Sequence, residues 1–96
     1  MANGYWIGAY RSVSDPDKLA ADAKIAGPAV EELGGRFLSR AGAIEVREAG
    51  ITQRAVLVEF DSFEAAVGAY DSDAYQAALA VLDGGAERDM RIVEGV

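Results

Sequence analysis

Two arginines lie four residues apart in the stretch GGRFLSRAG. If this stretch is a β-strand, side-chain alternation places Arg36 and Arg40 on the same side, about 13 Å apart along the backbone. A guanidinium can hold a carboxylate through two hydrogen bonds. We therefore predict that Arg40, which precedes the permissive Gly42, contacts an anion, and we assign Arg36 to surface or interface charge. The alternative for Arg40 is an ion pair with Glu59 or with another acidic residue.

Glu59 is the only ionisable residue in the apolar strand sequence AVLVEF. Burial in such a strand disfavours a charged carboxylate unless it is paired. Glu59 is therefore the candidate general base. With Arg40 stabilising an enolate, it would support a cofactor-independent isomerisation or oxygenation. The alternative is an ion pair with Arg40 or Arg54, which would leave no free proton acceptor.

The segment AYDSDAYQAAL contains a second group of candidate ligand contacts. Tyr70 and Tyr75 flank a predicted break between two helical pieces, where hydroxyls can point into a cavity beside free backbone donors. With Ser72 they would suit a phenolic or carboxylate ligand, and Trp6 is a further candidate for the pocket lining. The alternative gives Ser72 a capping role and makes the aromatic residues part of the core.

The composition excludes several classes of function. The chain contains neither cysteine nor histidine, so it has no thiolate nucleophile, no serine–histidine pair and no zinc or haem ligands of the usual kinds. No glycine-rich phosphate loop is present, and we predict neither a cofactor nor a metal. The net charge of −7 disfavours nucleic acid and anionic membranes. We expect a cytoplasmic protein whose ligands are small molecules or other proteins.

The first half of the chain predicts a strand, a helix and a second strand. Residues 4–12 alternate as a strand. Ser14 or Asp15 followed by Pro16 is typical of a helix start, and an apolar stripe continues to residue 33. The pair Gly27-Pro28 predicts a kink or two consecutive helices, and Gly34 predicts a left-handed cap. A strand is predicted over residues 36–46.

The second half repeats this order. A strand over residues 53–60 forms a predicted hairpin with the preceding strand through a connection containing Gly50. Residues 61–85 predict two helical pieces, with Asp61 and Glu64 at capping-box spacing and Ser72 starting the second piece. Residues 88–96 predict the last strand. The order βαββαβ indicates one α+β domain over residues 1–96, a ferredoxin-like sandwich with a four-stranded antiparallel sheet.

Such a sheet has helices on one face only, because both right-handed crossovers fall on the same side. The central strands carry apolar side chains on both faces, so an open face would leave a large apolar patch. We therefore predict a homodimer through the open sheet face. The alternative is that the small residues Gly8, Ala9 and Ala55 keep the apolar area of this face small enough for it to remain exposed to water.

The stretches GYWI, GGRFLSRAG, VLVEF, AYDSDAYQAAL and RIVEGV resemble, in order and spacing, the small bacterial proteins of the domain of unknown function 1330 family. That family is similar to the dimeric α+β barrel superfamily. The resemblance implies a homodimer with a pocket between sheet and helices, and it implies no established reaction. Leu33 occupies a position where the family often has histidine, so no acid–base role is expected there.

Two functions are compatible with these observations. The first is a homodimer that binds a small anionic or aromatic metabolite, with Arg40 as anion contact and Trp6, Tyr70, Ser72 and Tyr75 as ligand-binding residues. Catalysis by Glu59 and Arg40 would add an isomerase or monooxygenase activity. The second is a structural or protein-interaction module in which these residues serve only as caps, core residues and ion pairs.

Overall fold

The computed structural model describes residues 2–96 and contains four strands and three helices. The elements are β1 (Gly4–Val13), α1 (Pro16–Glu32), β2 (Arg36–Arg40), β3 (Ala55–Phe60), α2 (Phe63–Asp71), α3 (Asp73–Leu82) and β4 (Ala86–Glu94). The sheet order is β2-β3-β1-β4, and every neighbouring pair is antiparallel. This confirms the predicted α+β ferredoxin-like fold.

Helix α1 begins where the sequence indicates. The Asp15 side chain accepts hydrogen bonds from the backbone N–H groups of Asp17 and Lys18, both at 3.1 Å. The helix then continues through Pro28 as one element, so of the two predicted alternatives, a kink or two consecutive helices, the second is wrong. Gly27 explains this continuity, because it has no Cβ to clash with the following proline ring. Gly34, with φ of +90°, follows the helix end as predicted.

Strand β2 is shorter than predicted and ends at Arg40 rather than at Val46. Its pairing with β3 ends with a hydrogen bond from the Ala41 N–H to the Ala55 carbonyl at 3.0 Å. Ala41 has a left-handed φ of 56°, which turns the chain out of the sheet plane. Residues 41–54 therefore form a long connection rather than the predicted short one, while β2 and β3 pair antiparallel as predicted.

The two later helices share Ser72, which ends α2 and caps α3 as predicted. The cap of α2 is Ser62, whose Oγ accepts from the Ala65 N–H at 3.0 Å, and not the predicted Asp61. None of the three helices within the described chain combines the length and apolar composition needed to cross a bilayer.

The helices cover one face of the sheet, and two groups of buried side chains fill the layer between them. The larger group is centred on Trp6, Val58 and Phe60 and includes residues from all three helices. The smaller group consists of Tyr10, Leu19 and Leu82. The opposite sheet face has no helix over it, and we call it the outer face.

Candidate functional site

A β-bulge in β2 determines where Arg40 points. Phe37 pairs with Val58 and Ser39 pairs with Leu57, so the register shifts by one residue at Leu38. A bulge of this kind reverses the faces of all later side chains on the strand. Arg36 therefore lies on the outer face and Arg40 on the helix face, beside Phe37. The prediction that both guanidiniums share a face is wrong for this reason.

Arg40 borders a pocket of about 60 Å³ between the sheet and α1. The pocket lies where the two buried groups meet, since Trp6 and Val30 line it from one group and Tyr10 and Leu19 from the other. Gly8 contributes to its floor. The remaining lining residues are Asp22, Ala23, Ala26, Phe37, Arg40, Arg54, Val56, Val58, Tyr75, Arg88 and Met90.

Three arginines line this pocket, and none of them forms an ion pair with a carboxylate within the described chain. The other four arginines do form ion pairs: Arg11, Arg36, Arg47 and Arg91. The chain has 16 acidic residues against nine basic ones, so partners are plentiful on the surface. The arginines without a carboxylate partner are therefore concentrated in one place.

Aromatic rings and backbone groups hold these guanidiniums in position. Arg40 lies over the Phe37 ring at 4.4 Å and donates to the Ala23 carbonyl of α1 at 3.2 Å. Arg54 and Arg88 both lie over the Tyr10 ring, at 5.3 and 5.7 Å. A cation–π contact orients a guanidinium through its flat face. Its N–H groups can therefore still donate hydrogen bonds to a carboxylate.

Asp22 is the one carboxylate in the pocket lining. It belongs to α1 and is only 5% exposed, and its buried Oδ1 has no hydrogen-bond partner in the described part of the chain. Burial raises the pKa of Asp22, while the nearby charges of Arg88, Arg40 and Arg54 act in the opposite direction. The pocket thus contains three guanidiniums and a single carboxyl group.

Tyr75 adds a hydroxyl to the same pocket. Its Oη accepts a hydrogen bond from Arg88 Nη1 at 3.2 Å. Burial raises the pKa of Tyr75 above its ordinary value of 10.0, so the phenol keeps its proton at neutral pH. Trp6 packs against Tyr75 with ring centroids 4.7 Å apart, and its Nε1 donates to the Ala66 carbonyl at 2.8 Å. Trp6 therefore forms a fixed wall.

Of the residues proposed from the sequence as ligand contacts, Trp6, Arg40 and Tyr75 line the pocket. Tyr70 is not among the lining residues and packs edge-on against Trp6 at 5.8 Å. Ser72 is not among them either. Its Oγ donates to the Ala69 carbonyl at 2.7 Å and accepts from the Tyr75 N–H at 3.2 Å, as expected of a helix cap.

Glu59 points to the outer face and does not line the pocket. Its carboxylate accepts from Arg36 Nε, Asn3 Nδ2 and Tyr5 Oη, each at 3.1 Å. The hydrogen bond from Arg36, followed by that from Asn3, lowers the pKa of Glu59. Its partner is thus Arg36, and neither Arg40 nor Arg54.

Sequence reasoning missed Asp22, Arg54 and Arg88 as pocket residues. Asp22 had a usable signal, since it is three residues after Leu19 and four before Ala26, on the apolar side of α1. A carboxylate at such a position needs an explanation. Arg88 alternates with Met90 and Ile92 on the inward face of β4, which is a similar signal. Arg54 lies in the long connection before β3, and no pattern in the sequence indicated that it lines the pocket.

A second cavity, of about 350 Å³, lies between residues 41–54 and the outer face, and Arg11 and Asp89 line part of it. These two residues pair with each other at 3.8 Å, so the cavity offers fewer free charges. Within residues 2–96, no group of acidic side chains is arranged to hold a metal ion.

Comparison with known proteins adds a family and a set of similar folds. The family described as Domain of unknown function (DUF1330) matches residues 3–96. No functionally curated protein matches the sequence. Several solved structures have a similar fold. The methylated RPA0582 protein has a TM-score of 0.72 at 19% identity, with 99% of this chain and 82% of that chain covered.

The RPA0582 protein of unknown function from Rhodopseudomonas palustris has a TM-score of 0.68 at 22% identity, over 97% of this chain and 80% of that one. An ethyl tert-butyl ether d (ethd) family protein from Bacillus halodurans has a TM-score of 0.58 at 15% identity, with both chains fully covered. At these identities the similarity establishes the fold.

Proposed function

Since the chain belongs to the DUF1330 family, a family of unknown function, we propose its function from the pocket: the protein binds a small organic anion between the sheet and α1. The observation that carries this proposal is the concentration of Arg40, Arg54 and Arg88 in one pocket, where none of them forms an ion pair with a carboxylate of residues 2–96. An anion placed there would supply the missing partner.

Electrostatics supports this proposal. Three guanidiniums and one carboxyl group give the pocket an excess of at least two positive charges, in a chain whose net charge is −7. Positive charges of this kind repel one another in a partly buried place, so assembling them costs stability. A carboxylate or other small anion relieves that repulsion and pairs with a guanidinium through two hydrogen bonds.

The pocket size and lining restrict the ligand to a small organic acid. At ~10–15 Å³ for each water-sized group, a volume of about 60 Å³ holds about four to six such groups. Trp6, Phe37 and Met90 form apolar walls, which suit a carbon skeleton better than an inorganic ion. The pairing of Glu59 with Arg36 on the outer face favours a binding role over proton transfer by Glu59.

Thermal unfolding with a panel of small acids tests the proposal. The probes are acetate, propionate, butyrate, succinate and benzoate, and the proteins are the wild type, Arg40→Gln and Arg36→Gln. A ligand at one hundred times its dissociation constant stabilises by about 2.7 kcal/mol. Each kcal/mol raises the midpoint of a domain of this size by about 4–8 °C.

We expect at least one acid to raise the midpoint of the wild type and of Arg36→Gln, but not that of Arg40→Gln. Arg36→Gln is the matched control, since it removes the same charge from the outer face. Absence of any shift in the wild type would contradict anion binding. An equal loss in both variants would show that the effect does not depend on the pocket.

The outer face supports a second proposal, that two copies of the chain pair through it. Large apolar side chains are exposed there, including Ile7 at 39% and Val93 at 37%. Leu38, displaced by the bulge, is 53% exposed. An apolar surface of this kind is typical of an interface. We expect a dimer in analytical ultracentrifugation and a monomer for Ile7→Arg, whereas a monomeric wild type would contradict pairing.

A further inference from the structure

The pocket contains one buried polar atom that a simple carboxylate cannot satisfy. Asp22 is only 5% exposed, and its buried Oδ1 accepts no hydrogen bond from any of residues 2–96. A buried acceptor without a donor is costly and rare. A carboxylate ligand has only acceptors, so it pairs with the arginines and leaves Asp22 unsatisfied.

We propose that the ligand is a small hydroxy acid, whose carboxylate lies against the pocket arginines and whose hydroxyl donates a hydrogen bond to Asp22. This inference rests on the proposed anion-binding function and adds the chemical class of the ligand. Asp22 projects from α1, whereas Arg54 and Arg88 come from the sheet side. The acceptor and the donors thus belong to different walls, and a ligand between them needs both kinds of group.

The charge of the pocket selects a hydroxyl over an ammonium as the donor. An ammonium group would also suit Asp22, but it would lie close to the guanidiniums that surround the carboxyl group, Arg40, Arg54 and Arg88. Like charges in a partly buried place repel strongly. A neutral hydroxyl supplies the donor without that repulsion.

Tyr75 completes the arrangement. Its Oη accepts from Arg88, and its own O–H proton has no acceptor among the described residues. That proton is available to the ligand carboxylate, beside the N–H groups of Arg88. The donors therefore gather around the anionic end of the ligand, and Asp22 Oδ1 is the acceptor for the other end.

Matched pairs of acids that differ by one hydroxyl test this inference. The pairs are glycolate and acetate, lactate and propionate, and 3-hydroxybutyrate and butyrate, measured by isothermal titration calorimetry with the wild type, Asp22→Asn and Asp22→Ala. A hydrogen bond to a charged group corresponds to a preference of roughly 10- to 100-fold. We expect that preference for at least one hydroxylated member in the wild type.

Asp22→Ala removes the acceptor, so the preference should disappear while the simple acid still binds. Asp22→Asn keeps a neutral acceptor and should retain only a few-fold preference, since charge-assisted hydrogen bonds are roughly twice as strong as neutral ones. Urea unfolding of each variant separates loss of folding from loss of selectivity, and Asp22→Asn preserves the side-chain shape.

The outcomes distinguish this inference from the function on which it rests. If simple acids bind and their hydroxylated partners bind no more tightly, the hydroxy-acid assignment is wrong and anion binding stands. A preference that persists in Asp22→Ala also overturns the role of Asp22. If no acid of the panel binds, both proposals fail.

Discussion

Replacing Asp22 with asparagine should stabilise the protein at neutral pH. Asp22 is 5% exposed and its Oδ1 has no partner. The raised pKa of Asp22 means that burial of its charge outweighs the attraction of the arginines, and an unsatisfied buried group costs more when it is charged than when it is neutral. Asparagine has nearly the same shape and no charge. We expect a gain of about 1 kcal/mol, or about 4–8 °C in the unfolding midpoint.

The pH dependence of this gain is a stricter test. Because the folded-state pKa of Asp22 lies above its unfolded value of 3.8, the charged carboxylate destabilises the fold above the folded-state pKa. That destabilisation disappears as the pH falls and the carboxyl binds a proton. The stability difference between Asp22→Asn and wild type should therefore shrink toward low pH.

Urea unfolding of both proteins from pH 7 down to below the unfolded value of 3.8 measures this difference, and titrations of other groups largely cancel in it. If Asp22→Asn is less stable than wild type at pH 7, Asp22 is favourably paired with the arginines. The reasoning about an unsatisfied acceptor would then be refuted.

Three further substitutions separate the pocket from the rest of the molecule. A Cβ on Gly8 would meet Met90 Sδ at 3.5 Å, an ordinary contact. Gly8→Ala should therefore fold normally but weaken anion binding in calorimetry, and unchanged affinity would show that ligands do not reach the pocket floor. A Cβ on Gly27 would lie 2.9 Å from Arg40 Nη2. Gly27→Ala should thus displace that guanidinium and lower anion affinity roughly tenfold or more, and it should also lower stability in urea unfolding, since the added Cβ crowds the Pro28 ring. Wild-type affinity would mean that Arg40 makes no contact. Glu59→Gln should leave anion affinity unchanged. Because Arg36 lowers the pKa of Glu59, the stability advantage of wild type over Glu59→Gln should decrease as the pH falls through that pKa, and a constant difference in urea unfolding would argue against the pairing.

Most of the fold follows from local patterns in the sequence. Asp15 and Pro16 predict the start of α1, Ser72 predicts the start of α3, and the alternation in β1 and β3 predicts the two central strands. These signals depend on neighbours within a few residues. The left-handed turn at Ala41 has no such signal, because alanine rarely adopts that conformation. The early end of β2 could not be predicted for this reason.

The site was less predictable because it depends on one register shift. Strand alternation alone puts Arg36 and Arg40 on the same face, and the bulge at Leu38 separates them. Whether a bulge forms depends on pairing with β3, which is distant in the sequence. The same limit applies to Glu59, whose partner across the sheet is Arg36. Asp22 was also missed, although its position as a carboxylate on an apolar helix face could have indicated it.

The charge distribution constrains what can reach the pocket. The chain has a net charge of −7, while Arg40, Arg54 and Arg88 surround a volume of about 60 Å³. At physiological salt, fields between exposed charges are screened within about 8 Å, whereas contacts inside a partly buried pocket are screened much less. A large polyanion meets mainly the acidic surface and is repelled. Under the proposed function, a small acid enters the pocket, where the guanidiniums are close and water is partly excluded, and this charge pattern favours a small anion over a large one.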